Sequence, residues 1–142
     1  MFSREASKKL RQEFWTSFGK SYPRKWILYN TRIKGLFFKF HFNTRRTMVS
    51  LDIEDHNLEN RIDLWVKLQA LKAIILSEYL PDAIFEETCY LDNGKEISRI
   101  TVVKENVSIH DKATWHVTMK FLHDHMVTFE EFFQEYKEVL EH

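Results

Sequence analysis

The stretch Leu36-Phe37-Phe38-Lys39-Phe40-His41-Phe42-Asn43, followed after Thr44-Arg45-Arg46 by Thr47-Met48-Val49-Ser50-Leu51-Asp52-Ile53-Glu54, decides the fold. Phe38, Phe40 and Phe42 alternate with Lys39, His41 and Asn43, and Val49, Leu51 and Ile53 alternate with Ser50, Asp52 and Glu54. A period of two turns every second side chain to the same side of a pleated strand, so each segment reads as a half-buried strand. The three residues between them suffice only for a hairpin, which makes the pair antiparallel. Upstream, Trp26 to Asn30 forms another apolar segment, joined by the short connection Thr31 to Gly35. It reads as the first strand of a three-stranded meander.

Helices flank these strands. Ala6, Leu10, Phe14 and Phe18 recur at helical spacing with Trp15 alongside, and Ser3 is a suitable N-cap, so a first helix runs to about Gly19 before Pro23. A second is expected from Leu58 to Leu80, ending at Pro81. Its apolar residues, among them Ile62, Leu64, Trp65, Val66 and Leu68, surround it, which predicts burial between the sheet and another helix. Ile84 to Leu91 and Glu96 to Val103 flank Asp92-Asn93-Gly94-Lys95, whose Asn-Gly predicts a hairpin through a type I′ turn. That register sets Cys89 opposite Ser98 and Arg99 opposite Thr88, diagonal to Glu86, and so predicts an Arg99 to Glu86 ion pair.

From Asp111 to the end, Trp115, Met119, Leu122, Met126, Phe129, Phe133, Tyr136 and Leu140 repeat at alternating spacings of four and three, a heptad seam. Packing of this seam on the second helix is the preferred reading, with pairing to a second copy as the alternative. Thr128-Phe129-Glu130-Glu131 fits a capping box, which favours a bend or restart there. The predicted architecture is an α+β single domain over residues 1–142 in the order α-β-β-β-α-β-β-α, with a mostly antiparallel sheet packed against helices.

Composition bounds the rest. At 142 residues and 17.3 kDa, with 44% apolar and 30% charged residues and only 3 Gly and 2 Pro, the chain reads as one folded domain, not a disordered, collagenous or linker segment. No apolar run approaches the roughly 18 residues of a membrane span, and Met1 to Leu10 lacks the apolar core of a secretory leader. A soluble cytoplasmic protein without a membrane partner is expected. The zero net charge hides a division: residues 1–50 hold twelve Lys and Arg against two acids, whereas the other 92 residues hold nine against nineteen. Either the halves neutralise each other on packing, the preferred reading for a pI near 7.1, or one face attracts polyanions.

No residue pattern announces an enzyme, and no catalytic residue, metal ligand or cofactor is assigned. The order helix, strands, helix, strand resembles the core of restriction-endonuclease-like nucleases, which hold Mg²⁺ with acids and use a nearby Lys. Here Asp52-Ile53-Glu54 is the only acid pair in that region, a Glu stands where the Lys belongs, and Lys39 and His41 occupy the preceding strand. A solvated outward sheet face is the preferred account of them, and a degenerate metal-dependent nuclease is kept as the alternative. His116, His123 and His125 lack the spacing of a His-Glu-x-x-His pair, and the lone Cys89 lacks an evident base. Arg24, Lys25 and Trp26, then Tyr29, Arg32 and Lys34, interleave cations with aromatics, the composition that combines phosphate attraction with base stacking.

Phe14-Trp15-Thr16-Ser17-Phe18-Gly19-Lys20, then Trp26-Ile27-Leu28-Tyr29-Asn30-Thr31 with Lys34, then Ile97-Ser98-Arg99-Ile100 and finally Trp115 occur in this order. Together they resemble the bacterial family called domain of unknown function 4268, over about Glu13 to Tyr136. The resemblance implies an α+β domain in a prokaryotic cytoplasm and no activity, and through relatives joined to nuclease-like domains it points to restriction or defence. The combined expectation is a non-enzymatic binding or interaction module whose partner is nucleic acid or a protein. A homodimer through the C-terminal helix is the third possibility.

Overall fold

In the computed structural model, which describes residues 2–142, the Ser3 hydroxyl accepts the Ala6 amide at 3.0 Å and starts helix α1, Arg4–Ser21. Phe14 and Phe18 are its buried residues, and its C-cap Tyr22 directly precedes Pro23. The next segment is not a strand. Leu28 and Arg32 have φ of 46° and 67°, a left-handed backbone that no β ladder accepts, and the Asn30 amide donates back to Ile27 O at 2.8 Å in a turn. Hydrogen bonds from Phe38 N to Leu28 O at 3.1 Å and from the Thr31 hydroxyl to Leu36 O at 2.8 Å tie this loop to the sheet. The expected meander therefore reduces to the hairpin β1, Leu36–Phe42, and β2, Arg46–Ile53. The aromatic residues that suggested a strand at Trp26 instead pack: the Trp26 ring lies 6.3 Å from Phe18, stacked, and 5.4 Å edge-on to Phe40.

Gly35 closes this loop where no other residue fits easily. Its φ is +77°, and an added Cβ would lie 2.7 Å from Asp55 Cβ and 2.9 Å from Asp55 N.

Helix α2, Leu58–Ala70, is capped by the Asn57 side chain. It breaks at Leu71, and the chain continues through the short α3, Lys72–Ile74, and a π turn, Ile75–Tyr79, to Leu80. Leu64, Trp65 and Leu68 are buried, whereas Ile62 and Val66 are exposed, so α2 buries one face and is not enclosed all round as its composition suggested.

Strands β3, Ile84–Tyr90, and β4, Glu96–Glu105, form the predicted hairpin. Its turn differs from type I′: Gly94 alone has positive φ, +87°, Gly94 N donates to Leu91 O at 2.8 Å, and Leu91 N donates to Lys95 O at 2.9 Å. This is a turn closed by a glycine bulge, one residue longer than the two-residue loop. A second irregularity between Glu86 and Cys89 moves the register, so Arg99 faces Glu86 directly and Cys89 faces Ile97, not Ser98. The antiparallel sheet has the order β1-β2-β4-β3, giving α-β-β-α-α-β-β-α for the main elements.

A 3₁₀ turn, Lys112–Thr114, leads into α4, Trp115–Glu141, a continuous 27-residue helix about 40 Å long. No restart occurs at Thr128, whose hydroxyl donates to Asp124 O one turn back at 3.0 Å. The heptad seam lies on the chain's own sheet. Phe129 and Phe133 meet Phe38 at ring distances of 6.0 and 5.5 Å, and Trp115 meets Phe14 at 5.3 Å while its indole N–H donates to Ile109 O. Packing on β2 and β4 accompanies the expected packing on α2. No helix among the described residues is long and apolar enough to cross a membrane.

Candidate functional site

Strand alternation assigns the two sheet faces. Phe38 and Phe42 of β1, Val49 and Leu51 of β2, Ile100 and Val102 of β4 and Phe85 of β3 face the helices. The other face carries Lys39 and His41, then Met48, Ser50 and Asp52, then Arg99 and Thr101. It is far from a solvated outward face. Ser50 and Asp52 are 0% exposed, because longer neighbours lie across them. Arg99 donates Nε and Nη2 to the two Asp52 oxygens at 2.7 and 2.8 Å. Lys39 Nζ lies 3.4 Å from Asp52 Oδ2 and against Glu54, and His41 Nε2 shares a hydrogen bond of 2.8 Å with Ser50 Oγ. Glu54 Oε2 sits buried beside that ammonium without a well-directed hydrogen bond.

The expected Arg99 to Glu86 ion pair does not form. Arg99 stands opposite both Glu86 and Asp52 in the ladder, and its guanidinium turns to the buried Asp52, where desolvation strengthens a two-pronged pair.

These contacts set the charge states. Burial, helped by the Arg99 cation, lowers the His41 pKa to about 4, so the imidazole is neutral at pH 7. Burial opposes the Lys39 charge, but Glu54 and Asp52 outweigh it and raise its pKa, and the Asp52 hydrogen bonds raise that of Arg99. Burial pushes the Cys89 thiol up, away from the thiolate a nucleophile requires. Two carboxylates and two cations thus cancel within one patch. No three His, Cys, Asp or Glu side chains converge as a metal cluster among the described residues. His123 stacks on Tyr22 at 4.7 Å, and His125 lies 4.1 Å from Phe121.

The basic half of the chain is only partly neutralised. Of the twelve cations in residues 1–50, Arg24, Lys39 and Arg46 form ion pairs, and the other nine form none among the described residues. Arg24 donates to the buried Glu130 of α4 at 2.9 Å, and the second Glu130 oxygen accepts the Ile27 amide at 2.7 Å. Lys25 lies in a hollow lined by Glu130, Glu131 and Glu135. Trp26 is inside the aromatic cluster, with the Arg24 guanidinium 5.0 Å from its ring. Of the six residues singled out from sequence, Arg24 and Lys25 thus lie beside α4 while remaining exposed, and Trp26 packs against the core. Tyr29 is 64% exposed and rests on Phe37, and Arg32 and Lys34 are exposed on the same loop.

Three depressions share Trp15. One follows the free edge of β1 past Phe40 and Lys39 to Tyr29, with a volume of about 360 Å³. The second, about 540 Å³, crosses the end of the helix-free face between Arg46, Met48, Tyr90 and Arg99. The third runs along α1 over Lys8, Arg11 and Thr16. Cations and half-buried or exposed aromatics thereby form a stripe from Lys8 through Trp15 to Tyr29. Lys8, Arg11 and Trp15 were not singled out from sequence, although their spacing of three and four already puts them on one helical face.

The family model for a domain of unknown function (DUF4268) matches residues 10–137. No curated protein and no solved structure matches the chain.

Proposed function

We propose, for a chain that belongs to the DUF4268 family, a non-enzymatic module of the bacterial cytoplasm that binds single-stranded nucleic acid along the stripe from Lys8 to Tyr29. The observation that carries this reading is the set of nine N-terminal cations that form no ion pair among the described residues, two of which, Lys8 and Arg11, border Trp15. Cations spaced along a groove attract successive phosphates, and Trp15 and Tyr29 offer rings to unstacked bases. The internal neutralisation of Asp52 and Glu54 by Arg99 and Lys39 favours binding over metal-dependent chemistry at that face.

Fluorescence anisotropy with labelled single-stranded DNA, duplex DNA and RNA at about 50 and 200 mM salt tests the reading. The expected result is preference for single strands, an affinity that falls steeply with salt, and a weaker salt slope in Lys8→Gln/Arg11→Gln. Absence of binding at the lower salt, or binding indifferent to these substitutions, overturns it.

A further inference from the structure

Arg99 reaches the cleft at the end of the helix-free face with its orientation already set. Nε and Nη2 are held by the two oxygens of the buried Asp52, whereas Nη1 meets no acceptor among the described residues. Arg99 nonetheless lines the cleft of about 540 Å³, together with Arg46, Met48, Tyr90 and Asp92. Arg46 is half exposed and reaches only Glu105, at 3.8 Å, which is beyond a good hydrogen bond. Two guanidinium groups, one pre-oriented, suit an anion with several oxygens, because each fork matches two of them. The volume falls in the range of small-molecule sites.

We infer that this cleft binds one nucleotide through its phosphate, which rests on the unused donors of Arg99 and on Arg46 while the base lies against Met48 and Tyr90. The inference rests on the nucleic-acid reading and makes it more specific: the strand that follows the stripe past Trp15 places one unit in the adjoining cleft. Asp92 at the rim is an acceptor for an exocyclic amine of the base, and Glu86, opposite Arg99 in the ladder, discourages a second anion there. The ligand chemistry is a nucleoside phosphate, either free or at the 5′ end of a strand.

The test compares a short single-stranded DNA carrying a 5′ phosphate with the same strand ending in a hydroxyl, and separately titrates AMP while recording amide shifts. For a terminal unit, the phosphorylated strand binds about tenfold tighter, the scale of one charge-assisted contact pair, and the difference vanishes in Arg46→Gln and in the cleft-filling Met48→Trp. For a free nucleotide, AMP shifts the amides of Met48, Tyr90 and Arg99 whether or not the terminal phosphate matters. Arg46→Gln alters an exposed side chain, so its melting curve stays native even if Met48→Trp misfolds. If both strands bind equally and AMP shifts none of these amides, the cleft inference is overturned while strand binding stands. If neither strand binds, the nucleic-acid reading falls and the AMP titration alone decides the cleft, with unchanged amides overturning it.

Discussion

On the helix-facing side of β1, Phe38 is fully buried between Phe129 and Phe133 of α4. One residue later, Lys39 points the other way and reaches across to Asp52 and Glu54. Burial is equally complete at Phe38 and Asp52, but it rests on different forces. The first face is held by apolar area and close packing, which depend on volume. The second depends on each charge retaining its partner, because a lone buried charge costs more than the pair contributes. A sheet can therefore present a closed face without a second helix layer, provided long side chains fold over short ones.

The largest expected effects separate these two mechanisms. Arg99→Ala strips the buried Asp52 of its two-pronged partner and leaves it only Lys39, which it shares with Glu54, so stability falls by about 3 kcal/mol in urea unfolding. Asp52→Leu/Arg99→Leu recovers most of that loss, since apolar replacement of both partners removes the stranded charge. Failure of the double variant to recover would show that the pair holds the register as well as the charge balance. Phe38→Ala lowers stability by a similar ~3–5 kcal/mol, and no second substitution on the polar face restores it.

A smaller effect appears with pH. The native state keeps His41 neutral down to about pH 4, whereas the unfolded chain takes up a proton below about 6.5. Between these values the unfolded state binds more protons. The contribution is therefore complete above about pH 6.5 and is lost as the pH falls towards 4, by at most about 3 kcal/mol. His41→Gln, measured as the urea midpoint against pH, should remove this part of the slope. Gly35→Ala, at a positive φ and a close approach to Asp55, costs about 1–3 kcal/mol in the same assay. Smallest of all, Lys8→Gln/Arg11→Gln changes stability by less than about 0.5 kcal/mol. It belongs to neither face, and its effect is read in strand binding alone.

Elements whose signal is local were legible. The alternation of Leu36 to Glu54, the cap at Ser3, the Asn93-Gly94 hairpin and the heptad from Trp115 to Leu140 each describe a segment by its own side chains. The exceptions share a cause. Trp26 to Asn30 has strand composition, but its rings fill a gap beside Phe18 and Phe40, and Glu130, a hundred residues away, captures its backbone. Arg99 was paired with Glu86 from within its hairpin, but β2 brought a carboxylate from 47 positions earlier. The candidate site was half visible: Tyr29, Arg32 and Lys34 stand on the loop away from α4, whereas the exposed Arg24 and Lys25 sit beside acids of α4 and Trp26 packs against the core, and Trp15 with Lys8 and Arg11 emerges beside β1.

By itself the sequence determined the α+β class, the hairpins, the long C-terminal helix and the separation of charge, because hydrophobic period and turn chemistry act over a few residues. Only the tertiary structure decided which cations stay unpaired and which carboxylate Arg99 holds. Those outcomes depend on which strands become neighbours and on the desolvation that follows, and both arise only when segments far apart in the chain close on one another.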